Sequence, residues 1–309
     1  MKFFVAYAIL APSSHNTQPW KFAIEEEDTL ALFMDPKGWL RVADSDQREW
    51  HISSGCALEN LVLAAQHFGF APQVAYFPDP QDATLAARVK MRESALDAEP
   101  SSDALFQAIT TRHTNHQVFQ TRPVEEAALQ SLRNCLEETG IQLFLNDEAP
   151  LKRAVDELIV EADALEFANP NFREELGYWI GQGVFGTPWL ISKIGQMAMS
   201  YVNMGKATSK KDSELLMSAP VLGLICSEDN ERETQLKVGR IFERIYLTST
   251  RLGLGLQPMS QIVQIPQVKA KLARLTPCPN WYPQQPFRLG YAEPEKSHTP
   301  RRPLGSFLI

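Results

Sequence analysis

A sixteen-residue stretch occurs twice in this chain, and any fold it adopts has to house both copies. Gly55, Leu58, Glu59, Leu61, Leu63, Gly69 and Phe70 align with Gly239, Phe242, Glu243, Ile245, Leu247, Gly253 and Leu254 at a constant offset of 184 positions. Each copy lies in a longer run with apolar residues at helical spacing, Gln47 to Phe70 and Glu233 to Leu252, and each ends on a glycine suited to a helix C-terminus. Amphipathic patterning alone reproduces part of the match. The glycines at both ends and the shared glutamate go further, and they predict one supersecondary unit used twice, with the two helices packed together as in a dimer made from one chain.

A second feature is the loop Ala11-Pro12-Ser13-Ser14-His15-Asn16-Thr17-Gln18-Pro19-Trp20. Pro12 and Pro19 fix φ and remove two donors, holding a non-helical path whose side chains offer hydroxyls, amides and an imidazole. An ordinary turn leading into a strand has the same composition, so the loop alone leaves both readings open. Ahead of it, Lys2 to Ala11 reads as a buried helix delivering the loop or as a short signal peptide.

The remaining pattern is mixed α and β. Lys21–Glu26, Thr29–Met34, Val74–Phe77, Ala86–Met91, Ile141–Leu145, Ala219–Cys226 and Pro286–Tyr291 read as strands. Helices are expected from Ser101 to about Thr111, from Pro123 to Thr139 and from Ala149 to Phe167. Asn169 to Ser218, rich in aromatic, small and methionine residues, reads as a lid or as a surface helical hairpin.

A net charge of −7 offers no broad field for a nucleic-acid backbone or an anionic membrane, so any anion site has to be local. Cys56, Cys135, Cys226 and Cys278 are scattered, with no metal spacing, and fit a reduced, cytoplasmic protein. His113 and His116 stand at helical i, i+3 spacing without a third ligand, and no metal is expected.

The loop Pro12 to Trp20 resembles the P-S-x-x-N-x-Q-P-W signature of the FMN-dependent nitroreductase superfamily. Arg112-His113-Thr114-Asn115-His116 is similar to the Arg-Ser segment with which ordinary members open, and Leu289-Gly290-Tyr291 followed by Arg301-Arg302-Pro303-Leu304 resembles the family's close. The order departs from the ordinary one, because the Arg112 segment follows the loop by about 100 residues where it normally precedes it. Each half therefore keeps the motif that the other lacks. This resembles the single-chain, duplicated Acg-type branch, which implies an α+β fold of two pseudo-repeated halves, residues 1–110 and 111–309, with a lid near 169–218.

The resemblance implies FMN as cofactor, NAD(P)H as hydride donor, and a small acceptor such as a nitroaromatic or quinone, in a monomer or weak homodimer. A flavin-holding protein with little turnover is the alternative. Arg112, Thr114, Arg301 and Arg302 suit a phosphate dianion. Asn16 and Gln18 offer both donor and acceptor to the pyrimidine edge, and Pro12, Ser13, Ser14 and His113 flank these groups. His116 stands where relatives carry a cation near O2, and Met259, Ser260 and Gln261 correspond to the segment facing N5. In such a mechanism the protein orients and polarises, so no side chain is assigned acid–base work.

Overall fold

The computed structural model describes residues 1–93, 100–295 and 298–309. A short helix, α1 (Lys2–Ala8), leads into the proline-flanked loop, and then β1 (Trp20–Glu26) and β2 (Thr29–Met34) form a hairpin. The long helix α2 (Arg48–His67) follows, then β3 (Phe70–Tyr76), β4 (Leu85–Glu93) and α3 (Pro100–Ala108). The second part contains α4 (Glu126–Arg133), β5 (Ile141–Asn146), α5 (Ala149–Ala168), α6 (Pro170–Gly181), α7 (Trp189–Tyr201), α8 (Gly205–Ser218) and β6 (Val221–Ser227). It closes with α9 (Arg232–Arg251), β7 (Gly255–Pro258), α10 (Gln261–Gln264), α11 (Pro266–Leu275) and β8 (Tyr282–Gly290).

Two antiparallel four-stranded sheets result, ordered β1-β2-β4-β3 and β5-β6-β8-β7. Replacing each strand of the first by the corresponding strand of the second gives the same order. The fold is therefore α+β with one sheet plan drawn twice, each sheet inserting its long helix between its second and third strands.

The long helices α2 and α9 pack on each other at their glycines. A methyl group added to Gly55 would lie 2.0 Å from the Leu236 carbonyl oxygen and 2.9 Å from the Gly239 Cα. One added to Gly239 would lie 2.1 Å from the Ile52 carbonyl oxygen and 2.9 Å from the Gly55 Cα. These contacts are reciprocal, with each member meeting its own counterpart, as at a two-fold axis. His51 and Gln235, again equivalent positions, meet side chain to side chain at 2.8 Å. The helices bury Leu58, Leu61, Ile241 and Ile245 in the main core.

Two expectations are corrected, and one stretch without an assignment proves structured. The helix over Pro123–Thr139 spans only Glu126–Arg133, because the chain leaves it at Asn134 and buries Cys135 against Thr248 of α9. The last strand begins at Tyr282; Pro283 and Pro286 obscure its pattern but are accommodated beside a register shift on β6. The segment 255–275 contains a strand and two helices not anticipated from the sequence. The region 169–218 is helical throughout most of its length, as three helices. The side chains of Ser101 and Ser102, expected to cap α3, lie outside the described residues, as do Lys296 and Ser297 of the tail.

The tail then returns to the first sheet. Leu308 bridges Phe22 in parallel, the Ile309 N–H donates to the Phe22 carbonyl, and Phe307 is fully buried near Trp20. This crossing sets Arg301 and Arg302 against the loop. Among the described residues no helix is long and apolar enough to cross a membrane.

Candidate functional site

The loop is held in an uncommon backbone conformation. His15, Asn16 and Gln18 have φ of 48°, 53° and 50°, in the left-handed region that non-glycine residues adopt at a cost of about 1–3 kcal/mol each. The loop's own hydrogen bonds offset this. The Asn16 N–H donates to the Ser13 carbonyl at 2.9 Å, and the Gln18 N–H to the Ser13 hydroxyl, also at 2.9 Å. The Ser14 hydroxyl donates to the Glu49 carboxylate of α2, which also accepts from Arg48 at 2.8 Å and Gln264 at 2.9 Å.

Arginines from the tail fasten the loop from outside. Arg301 donates to the carbonyls of Ile9 (3.0 Å), Leu10 (3.0 Å) and Ala11 (3.2 Å) and to Asn16 Oδ1 (3.1 Å). Arg302 donates through its backbone N–H to Gln18 Oε1 at 3.0 Å, and its guanidinium reaches the carbonyls of Thr17 and Gln18. Asn16 Nδ2 donates to the Pro300 carbonyl at 2.9 Å and to that of Val184, between α6 and α7, at 2.7 Å.

Arg112 arrives from the segment after α3 and shares the Leu10 carbonyl with Arg301, donating at 3.1 Å, so two guanidinium groups converge on one oxygen. The Arg112 plane lies 4.7 Å over the Tyr246 ring, a cation–π contact. Its Nε is 3.6 Å from Glu243, too far for a hydrogen bond, and both Nε and Nη1 are buried without a hydrogen-bond partner. Glu243 is fully buried, and among the described residues its carboxyl is left with the Asn60 amide as a loose neighbour and no hydrogen bond of good geometry. Burial pushes its carboxyl up to about 7, against the opposing pull of Arg112. Burial, and then the adjacent Arg112, lower Arg301 to about 10. The result is a buried cluster of two cations and one poorly paired carboxyl in which Arg112 keeps spare donors, an electrostatic setting that suits an anion.

Tyr246 links this cluster to the rest of the predicted set. Its hydroxyl donates to the Leu256 carbonyl at 3.0 Å, just before Met259, and pairs with the Thr114 hydroxyl at 2.7 Å. Around Met259, the Met259 N–H is spent on the Pro286 carbonyl at 3.0 Å, and Gln261 donates to Asp212 of α8 at 3.2 Å. Arg288, fully buried, donates to Gln257 Oε1 at 2.6 Å and to the carbonyls of Asn115 and Gln117 on either side of His116. His116 is exposed at the surface, and partial desolvation of its ring lowers its pKa from the ordinary histidine value, with Glu295 opposing. His113 is held by the Thr111 carbonyl and by the Glu295 N–H. Pro12 is half-buried between the Ala11 carbonyl that Arg301 grips and the Ser13 turn.

No family model matches the chain. Two Mycobacterium tuberculosis proteins match almost all of it. "Putative NAD(P)H nitroreductase Rv3131" is 27% identical over 311 residues, covering 97% of this chain and 88% of its own. "Putative NAD(P)H nitroreductase acg" is 26% identical over 316 residues, covering 98% and 93%. The chain resembles the Acg-type nitroreductases along its whole length. The crystal structure of the FMN-dependent nitroreductase NfnB from Mycobacterium smegmatis in complex with NADPH matches at 16% identity and a TM-score of 0.43, covering 66% of this chain and 96% of that one.

Four residues not singled out in the sequence support the predicted set: Glu243 and Tyr246 lie against Arg112, Glu49 anchors Ser14, and Arg288 holds the backbone around His116. Only Glu243 carried a usable signal, its match to Glu59 in the repeat. Arg288 and Tyr246 sit in stretches that read as ordinary strand and helix.

Proposed function

We propose that this protein is an FMN-dependent oxidoreductase of the nitroreductase type, holding one FMN per chain, accepting hydride from NAD(P)H and reducing a small acceptor such as a nitroaromatic or quinone. The observation that carries this reading is the buried Arg112 guanidinium, with Nε and Nη1 unspent beside Arg301 and the Thr114 hydroxyl. A terminal phosphate fits that donor set in charge and in hydrogen-bond sense. The full-length resemblance to proteins named NAD(P)H nitroreductase agrees with it. When bound, FMN supplies the hydride and electron chemistry. Arg112 would hold the phosphate with its two unspent nitrogens, beside Thr114 and the positive charge of Arg301, whose own N–H groups are taken by loop oxygens, and Ser13, Ser14, Asn16 and Gln18 shape the loop. On this reading the halves divide near residue 110 and the lid lies within 169–218, so that the site draws the loop from one half and Arg112 from the other.

A second reading, a flavin-holding protein with little turnover, has its own support. Asn16 is tied to Val184, and the Gly186 turn lies against Pro300 and the His298 carbonyl, so the base of the helical hairpin rests on the loop. Titrating the purified protein with FMN and following the flavin bands tests the site; absence of binding at about 50 µM FMN would reject both readings. Anaerobic bleaching of bound FMN by NADH or NADPH supports the enzyme. A flavin that dithionite reduces and neither nicotinamide does supports sequestration.

A further inference from the structure

The α6–α7 hairpin has its polarity reversed. Its inner seam is largely small and polar: methyls added to Gly177 and Gly181 would meet Ser200 Oγ at 2.4 Å and Gln196 Oε1 at 2.0 Å, buried Ser192 bonds Thr187 at 2.6 Å, and Met199 alone of the α7 apolar residues packs inward, against the Phe167–Phe172 cluster. The other apolar residues point outward. Leu190, Ile194, Met197 and Tyr201 are 63%, 61%, 65% and 84% exposed, flanked by exposed Trp189, Ile191 and Val202. A helix whose polar side faces the protein and whose apolar side faces water is half of an interface.

The spacing of the stripe identifies the other half. Its members recur at intervals of four, three and four residues, the seam of a coiled coil, and that series reads the same in both directions. Two identical helices lying antiparallel therefore bring Leu190 against Tyr201 of the second copy, and Ile194 against Met197, twice over. The one charged residue on α7, Lys193, then faces Ser200 of the second copy, so no like charges meet. The exposed apolar side chains offer on the order of several hundred Å² per chain, a patch of the size that marks an interaction site. A lipid surface is less well matched, since one lysine on α7 and a net charge of −7 give little attraction to anionic headgroups.

We propose that α7 is the contact by which two copies of this chain associate, antiparallel about a two-fold axis midway between Ile194 and Met197. Sedimentation velocity on the full-length protein between about 1 and 100 µM should show a concentration-dependent monomer–dimer equilibrium. Ile194→Lys, at an exposed position that leaves far-ultraviolet circular dichroism unchanged, should weaken it roughly 100-fold. Adding Met197→Glu to Ile194→Lys should restore much of the association, because each new lysine then faces a glutamate across the axis; a parallel pairing would set like charges together and restore nothing. A wild-type protein that stays monomeric, an Ile194→Lys variant that still dimerises, or a double variant no better than the single one overturns the proposal. So does flotation of monomeric wild-type protein with vesicles containing about 30% phosphatidylserine, which would assign the face to lipid.

Discussion

Glu59 and Glu243 occupy equivalent places on the two central helices, and both are fully buried, yet they live in opposite circumstances. Glu59 accepts from Arg240 at 2.7 Å and from Arg244 at 3.0 Å, while Arg240 also binds Tyr76 and Arg244 binds Glu137 at 2.7 Å. Among the described residues Glu243 has one cation, 3.6 Å away, and no hydrogen bond of good geometry. One carboxylate is consumed in a closed network that ties α2 to α9. The other is left short of partners where Arg112 keeps spare donors, and an underpaired buried cluster is where a ligand can add most.

Removing the closed carboxylate should have the largest effect. Glu59→Ala strands two mostly buried guanidinium groups and should cost about 3–5 kcal/mol in urea unfolding; a loss below about 1 kcal/mol would mean that the network is ornamental. Glu243→Gln should have the opposite sign. The folded carboxyl titrates near 7 against an ordinary value of 4.5, so its ionisation is disfavoured by folding, and stability falls as pH rises from about 4.5 through 7. The glutamine variant should therefore lose no stability at pH 5.5 relative to wild type and exceed it at pH 8.5.

Arg112→Ala comes next and should weaken FMN roughly 100-fold in a fluorescence titration while barely affecting riboflavin, which lacks the phosphate. Equal losses for the two ligands would move the anion site elsewhere. Smaller still is the pH dependence of binding. Above about 7 the Glu243 carboxylate competes with phosphate for Arg112, so FMN affinity should fall severalfold from pH 6.5 to 8.5 relative to Glu243→Gln measured in parallel. The least effect is expected from Arg302→Ala, within about threefold in FMN affinity, since that guanidinium faces loop carbonyls and the Phe307 ring.

Much of this was legible in the sequence because it rests on local rules. The repeated glycines mark the helix crossing, where only a residue without Cβ lets the backbones approach, and the proline-flanked loop and the tail arginines do come together. What could not be read depends on distant pairing. Arg288 looks like an ordinary strand residue until Asn115, Gln117 and Gln257 surround it. Nor does any pattern reveal that Asn16 spends its amide on Val184, 168 residues away. The short β7, α10 and α11 were missed because four-residue elements have no periodicity to detect, and the ten-residue α11 starts on a proline directly after one of them.

The contact between His51 and Gln235 has a chemical meaning of its own. Burial lowers the histidine to about 4, so the ring is neutral and its Nδ1–H donates to the glutamine oxygen. Two identical chains meeting at an axis must present the same residue to itself, and each copy must then be able to give and receive. Here one position only gives and the other only receives, so the bond has a direction. At its centre the molecule already knows left from right.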